Sequence, residues 1–119
     1  MPSGSRTPAA RTAAELSNRL ADTERLTKIA IAYDAAENLA SAYGYYLDEF
    51  MWDETADLFA RDGKRRFASI SNEDGRESIR ESLKRRYPGK KTADYFTMHQ
   101  LIQPVIHVAD DGQTAKMRV

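Results

Sequence analysis

Apolar residues in the first half of the chain recur at steps of three and four positions, which is the spacing of one face of an α-helix. The series runs from Leu16 to Leu47, and the residues between its members are largely charged or polar. This pattern predicts a helix of about 30 residues that starts near Ala14, with Asp22-Thr23 as the place where it would break. The charged face is most simply a solvated surface.

The apolar pattern changes phase after Asp48, which predicts a corner and two further helices. A set at i, i+3, i+4 and i+7 indicates a short second helix that ends at Asp62-Gly63. The set is Trp52, Thr55, Ala56 and Phe59. Residues 64–70 suit a short strand or an irregular arm, and the cluster SNEDG at 71–75 is typical of a turn. A third helix is predicted over Arg76 to Tyr87.

The last third of the chain changes to a strand pattern. β-forming residues dominate positions 96–108, and Asp110-Asp111-Gly112 is a hairpin signal between that stretch and residues 113–119. Pro104 cannot donate a ladder hydrogen bond, so a bulge is expected there. Helices followed by consecutive strands predict an α+β domain in which the helices pack on one face of an antiparallel sheet.

Charge and composition exclude several functions. The 119 residues hold 18 Lys and Arg against 18 Asp and Glu, so no global attraction to nucleic acid or to an anionic membrane is expected. The absence of cysteine removes disulfides and thiolate chemistry, and two histidines are too few for an ordinary zinc site, so no metal is expected. No run of about 18 apolar residues is present. A cytoplasmic location without membrane contact is therefore expected.

The chain divides into a short tail and one domain. Residues 1–13 are rich in Ser, Pro, Ala and Arg and contain no leucine, isoleucine, valine or aromatic residue. Such a composition cannot offset the entropy lost on ordering and predicts a disordered tail. Residues 14–119 predict one domain of ordinary size.

Three kinds of residue could carry chemistry, and each has a structural alternative. His99, on the first long strand, is either a general base or a structural histidine. Asp48, at the corner between two helices, is either a helix cap or a carboxylate that points into a cavity. Several aromatic residues are either core or the lining of a pocket for a flat apolar ligand. They are Tyr43, Tyr46, Phe50, Trp52 and Phe59.

Three stretches of the chain carry a family resemblance. They are AYGYYLDEFMWDETADLFARDG, GRESIRESL and TMHQLIQPVIHVADDGQTAKMRV. Together they resemble the SnoaL-like branch of the nuclear transport factor 2-like superfamily, from about Ile29 to Val119. The resemblance implies a cone-shaped α+β barrel in which a curved antiparallel sheet wraps around long N-terminal helices and encloses a deep apolar pocket.

The resemblance also implies roles for individual residues. In dehydratases of this superfamily, such as scytalone dehydratase and bile acid 7α-dehydratase, an aspartate after the first long helix pairs with a histidine on the first long strand. The matching residues are Asp48 and His99, and Tyr43 matches a tyrosine of the bile acid enzyme. No cofactor is implied. The expected substrate-binding residues are Tyr46, Phe50, Trp52, Phe59 and Leu101.

Two functions follow from the resemblance. The first is a cofactor-independent lyase or isomerase that acts on a hydrophobic cyclic small molecule, such as a steroid or a polyketide, with the Asp-His dyad as general base. The alternative is a non-catalytic ligand-binding or oligomerisation module of the same fold. Members are commonly dimers or trimers, so a homo-oligomer is expected. The sheet normally continues beyond TAKMRV, so a C-terminally incomplete sheet is expected, either truncated or completed by another chain.

Overall fold

The first helix, α1, spans Ala13–Asp48 and dominates the computed structural model, which describes residues 10–119. Thr12 begins it with a capping box, because its hydroxyl accepts from the Glu15 backbone N–H while the Glu15 carboxylate accepts from the Thr12 backbone N–H. The predicted break at Asp22-Thr23 is wrong, because the helix continues through these residues, and the Thr23 hydroxyl donates to the carbonyl of Arg19 within it. Residues 1–9 of the predicted tail lie outside the described residues.

The second helix, α2, spans Trp52–Asp57 and starts after a sharp corner. Phe50 forms the corner with a left-handed backbone (φ 59°), and the backbone N–H of Met51 donates to the carbonyl of Tyr46. The predicted end at Asp62-Gly63 is wrong by one turn and a half, because a separate tight turn closes from Ala60 to Gly63.

A hairpin of two short strands follows, β1 at Lys64–Phe67 and β2 at Ser71–Asp74. They pair antiparallel, with Lys64 opposite Asp74. The prediction of a turn at 71–75 is wrong for residues 71–74, since the turn lies at 67–70, where Ala68 has a φ of 46°. The residues of β2 are polar on both faces of the strand, so the sequence gives no alternation of apolar and polar positions there.

The third helix, α3, spans Arg76–Arg86 and confirms the predicted position to within one residue. It packs against α2 and β2. Ile79 and Leu83, four residues apart, are buried completely and meet Leu47 and Trp52 in the main apolar cluster. This cluster fixes the corner after α1 against α3.

The final hairpin pairs β3 at Val105–Val108 with β4 at Ala115–Arg118. The predicted turn at Asp110-Asp111-Gly112 is confirmed. The predicted long strand over 96–108 is wrong for residues 96–104, which have no regular structure. Gln103 has a left-handed backbone and Pro104 has no N–H to donate, so the ladder begins only after them.

Helices and antiparallel hairpins confirm the α+β class. Within residues 10–119 the strands form two separate two-stranded sheets rather than one curved sheet. The β3–β4 hairpin packs along α1. The barrel implied by the resemblance stays a prediction.

Candidate active site

The end of α1 and the irregular segment 96–104 come together at one glycine. A side chain on Gly44 would lie 3.2 Å from the backbone oxygen of His99 and 3.3 Å from its Cβ. A Cβ at these distances would be in unusually tight contact, so glycine lets the segment approach the helix without being displaced. One turn further along α1, the Asp48 carboxylate accepts a hydrogen bond from the His99 backbone N–H. The small residue and the carboxylate together position the histidine.

Asp48 and His99 form three hydrogen bonds. The Asp48 Oδ1 lies 2.6 Å from the His99 Nδ1, and the His99 backbone N–H donates to Oδ2 at 2.9 Å and to Oδ1 at 3.1 Å. The Asp48 side chain is 14% exposed and the His99 side chain is 52% exposed. The carboxylate is therefore held in place on one side, while the imidazole remains accessible on the other.

The ionisation of Asp48 sets the state of the histidine ring. Burial raises the pKa of the Asp48 carboxyl, but the hydrogen bonds from the His99 ring and backbone outweigh it, and the pKa lies below its ordinary value. An ionised carboxylate only accepts hydrogen bonds, so the proton of a neutral His99 ring is on Nδ1. Nε2 is then the basic nitrogen, and it is the one that does not face Asp48.

Tyr43 lies five residues before Asp48 and contacts a cation instead of the dyad. Its hydroxyl accepts a hydrogen bond from the Arg65 Nε at 3.2 Å. This leaves the phenolic hydrogen free to donate elsewhere. Phe59 packs edge-on behind the Tyr43 ring, with centroids 6.0 Å apart, and so supports its position.

Tyr43 and His99 border a common cavity of about 340 Å³ whose wall is mainly aromatic. Phe50 stacks on Trp52 at 5.1 Å between centroids, and Trp52 stacks on Tyr87 at 5.4 Å. A cavity of this size lies within the range of small-molecule sites, about 300–1,000 Å³. Its lining comprises Tyr43, Leu47, Phe50, Trp52, Arg65, Phe67, Tyr87, Tyr95, Thr97 and His99.

A wider hollow of about 850 Å³ also adjoins the dyad. Tyr43 and His99 border it too, together with Asp48 and Leu101. His99 therefore borders two spaces, one lined mainly by aromatic rings and the other by the last turns of α1, residues 98–102 and Val119.

The structure brings together most of the residues expected at the site. Phe50 and Trp52 line the aromatic cavity, and Leu101 lines the wider hollow. Phe59 is a supporting residue behind Tyr43, and Tyr46 borders neither space. Sequence reasoning missed six lining residues of the aromatic cavity, which are Leu47, Arg65, Phe67, Tyr87, Tyr95 and Thr97.

Two further properties concern the described residues only. Between residues 10 and 119, no group of three or more His, Asp or Glu side chains is arranged to hold a metal ion. Among the helices in that range, none is long and apolar enough to cross a membrane.

Sequence comparison places the chain in a family. The model of the SnoaL-like domain matches residues 29–119, so the chain belongs to this family within the nuclear transport factor 2-like superfamily, and the resemblance is confirmed. The family includes polyketide cyclases, isomerases and dehydratases, and its domains bind small hydrophobic ligands and often form oligomers. No curated protein matches the chain.

Proposed function

We propose that the chain is a cofactor-independent, dehydratase-like lyase or isomerase that acts on a hydrophobic cyclic small molecule, such as a steroid or a polyketide. The observation that carries the proposal is the 2.6 Å contact between the Asp48 carboxylate and the His99 Nδ1 at the edge of an aromatic cavity. A carboxylate at this distance orients the imidazole and stabilises the cation that forms when the ring takes up a proton.

The reaction begins with proton removal by His99. Its Nε2 takes a proton from a carbon next to a carbonyl group, and the electron pair of the broken C–H bond moves toward the carbonyl. In an elimination, this pair forms a C=C bond while a β-hydroxyl leaves with its own electrons and takes the proton from His99, which releases water. In an isomerisation, the proton returns to another carbon of the same molecule.

The Tyr43 hydroxyl and the aromatic wall bind the substrate. The Tyr43 hydroxyl has a free hydrogen to donate to the substrate carbonyl or to the departing oxygen. Phe50, Trp52 and Tyr87 form a stacked wall that suits the face of a planar ring system. The cavity thus combines a base, a donor and an apolar surface.

Larger features of the family fold are part of the proposal. Leu16, Leu20 and Leu26 on α1 are each more than half exposed, and exposed apolar side chains of this kind favour association. We propose a homo-oligomer, a dimer or a trimer, in which the helices and hairpins belong to a cone-shaped barrel.

One observation favours a second candidate. His99 is half exposed and borders a wide hollow as well as the cavity, an arrangement that also fits a non-catalytic ligand-binding module. In that case the dyad only positions a ligand, and no bond in the ligand changes.

The test is elimination of water from cyclic β-hydroxy ketones of steroid and polyketide type, followed by the absorbance of the conjugated enone. The variant His99→Ala is expected to lose about 10²- to 10⁴-fold in rate, the usual contribution of a positioned general base. His107→Ala is the matched control, because His107 is the other histidine, is exposed and lies on β3 away from the cavity. Equal rates for wild type and His99→Ala would contradict the proposed base, and ligand binding without turnover would favour the module.

A further inference from the structure

Arg65 places a guanidinium in the wall of the aromatic cavity. The residue lies on β1, is 9% exposed and sits over the Phe67 ring at 5.4 Å. Its Nε donates to the Tyr43 hydroxyl and its Nη1 donates to the Ser71 hydroxyl, both at 3.2 Å. Among residues 10–119, no group accepts a hydrogen bond from the remaining nitrogen, Nη2. This atom is not among the fully buried atoms that lack a partner, so part of its surface is exposed. Nη2 is therefore open to a molecule in the cavity.

The charges around Arg65 do not balance. Glu73 is the carboxylate nearest to it, with an Arg65 Nη1 to Oε2 distance of 3.6 Å. The same carboxylate lies 3.9 Å from Arg86 and accepts from the Ser82 hydroxyl at 2.5 Å. One negative charge thus faces two positive ones. Asp48, the other acidic group near the cavity, is already bonded to His99. This end of the cavity has a surplus positive charge.

The geometry of a guanidinium determines where an anion would sit. Nε–H and one N–H of Nη2 point in parallel along one edge, the edge that normally binds both oxygens of a carboxylate. The Tyr43 oxygen occupies the position in front of Nε. An oxygen in the neighbouring position, in front of Nη2, would also lie within reach of the Tyr43 hydrogen. It would accept two hydrogen bonds, one from a cation and one from a phenol.

We propose that the Nη2 of Arg65 and the hydroxyl of Tyr43 together bind the carbonyl oxygen of the substrate and stabilise the negative charge that develops on it. The proposal rests on the proposed function and narrows its substrates to carbonyl compounds that react through an enolate. His99 takes the proton from the neighbouring carbon, the C–H electron pair moves through the new C=C bond to the oxygen, and the oxygen is held by Arg65 and Tyr43. Collapse of the enolate then expels the leaving group or returns the proton to another carbon.

The test uses 4-nitrophenol as a probe, because its ionised form resembles an enolate and is read directly from its visible absorbance. The full chain is titrated with the probe at several pH values. Wild type is expected to bind the phenolate at least about tenfold more tightly than the phenol, as for a hydrogen bond to a charged group. Equal affinity for the two forms, or no binding, would overturn the proposal.

Variants separate this site from the rest of the protein. Arg65→Lys keeps the positive charge but lacks the parallel pair of donors, so it is expected to lose most of the preference for the phenolate. Arg65→Met removes the guanidinium and leaves Glu73 beside Arg86, 3.9 Å away, so the one remaining positive charge keeps its carboxylate. This variant should show no preference. A preference as strong as that of wild type in both variants would overturn the proposal.

A control variant completes the experiment. Arg66→Gln changes the next residue of β1, whose side chain points outward to Asp74 at 2.6 Å, and it is expected to bind the phenolate like wild type. Binding of the ionised probe is independent of the elimination assay, since the probe then has no proton to lose to a base. A failed elimination assay would therefore contradict the general base without affecting the oxyanion result.

Discussion

Two pairs of an acidic and a basic residue each contribute their basic residue to the wall of the aromatic cavity, and the pairs differ in their exposure to water. The side chains of Arg65 and Glu73 are 9% and 6% exposed, whereas those of Asp48 and His99 are 14% and 52% exposed. Glu73 also takes a hydrogen bond from Ser82 on α3, so the first pair connects β1, β2 and α3. The second pair connects only the end of α1 to an irregular segment, and one of its partners keeps an accessible nitrogen. The buried pair connects elements of the fold, whereas the open pair exposes the nitrogen that we propose as the base.

The largest effect is expected from removing the buried carboxylate. Glu73→Ala leaves Arg65 and Arg86 without their shared negative partner, and an uncompensated buried charge costs about 3–5 kcal/mol. The free energy of unfolding, measured by urea denaturation with circular dichroism, should fall by that amount.

The same strand offers a matched control. Asp74→Ala removes a carboxylate that pairs with Arg66 at 2.6 Å, but both side chains are largely exposed. Exposed ion pairs contribute at most about 1 kcal/mol. A loss of stability in Asp74→Ala as large as that in Glu73→Ala would contradict the difference between buried and exposed charges.

The polarity of the buried residues explains which parts of the fold the sequence could predict. The helices α1 and α3 follow from apolar spacing, because residues such as Ile79 and Leu83 are buried by a helix face. Strand β2 could not be predicted, because its buried residues are Ser71 and Glu73, which become inward-facing only through hydrogen bonds to other elements. Hydrophobic periodicity carries no information about such partners.

The candidate site likewise contains residues that could be predicted and one that could not. Asp48 and His99 are 51 positions apart, and no local pattern joins them, so their pairing could be predicted only from the family resemblance. Arg65 stands in the run KRRF, where it looks like one more exposed cation. Its burial depends on Tyr43, Ser71 and Glu73, and no signal at the level of spacing distinguishes it from Arg66.

A smaller effect on stability is expected at the open pair. Asp48→Asn keeps the size of the side chain but replaces the charged acceptor of three hydrogen bonds. Because His99 is half exposed, solvent screening reduces the loss of stability to about 1 kcal/mol. The catalytic loss should be much greater than this, since the neutral amide no longer stabilises the imidazolium. Parallel urea denaturation and elimination assays would check it, and a fall in stability with unchanged rate would make the dyad structural.

The smallest effect is expected in the pH dependence of the stability difference between wild type and Asp48→Asn. Burial raises the pKa of Asp48, but the hydrogen bonds from His99 outweigh it, so the folded pKa lies below the ordinary value of 3.8. A carboxyl with a lowered pKa contributes stability above its unfolded pKa, and the contribution is lost as pH falls through the folded pKa. Glu73 has the same direction of shift, because Ser82, Ser71 and two arginines outweigh the effect of its burial. Acid should therefore destabilise both wild type and Asp48→Asn.

The two proteins should nevertheless converge. Asp48→Asn keeps Glu73 but has no carboxyl to protonate at position 48, so the advantage of wild type should shrink as pH falls below about 4 and vanish once Asp48 is protonated. Urea denaturation at a series of pH values from about 7 down to about 2.5 covers this window. If the stability difference between the two proteins stays constant over the whole range, the charge of Asp48 contributes nothing to stability. Only the geometry of its hydrogen bonds then holds His99 in place.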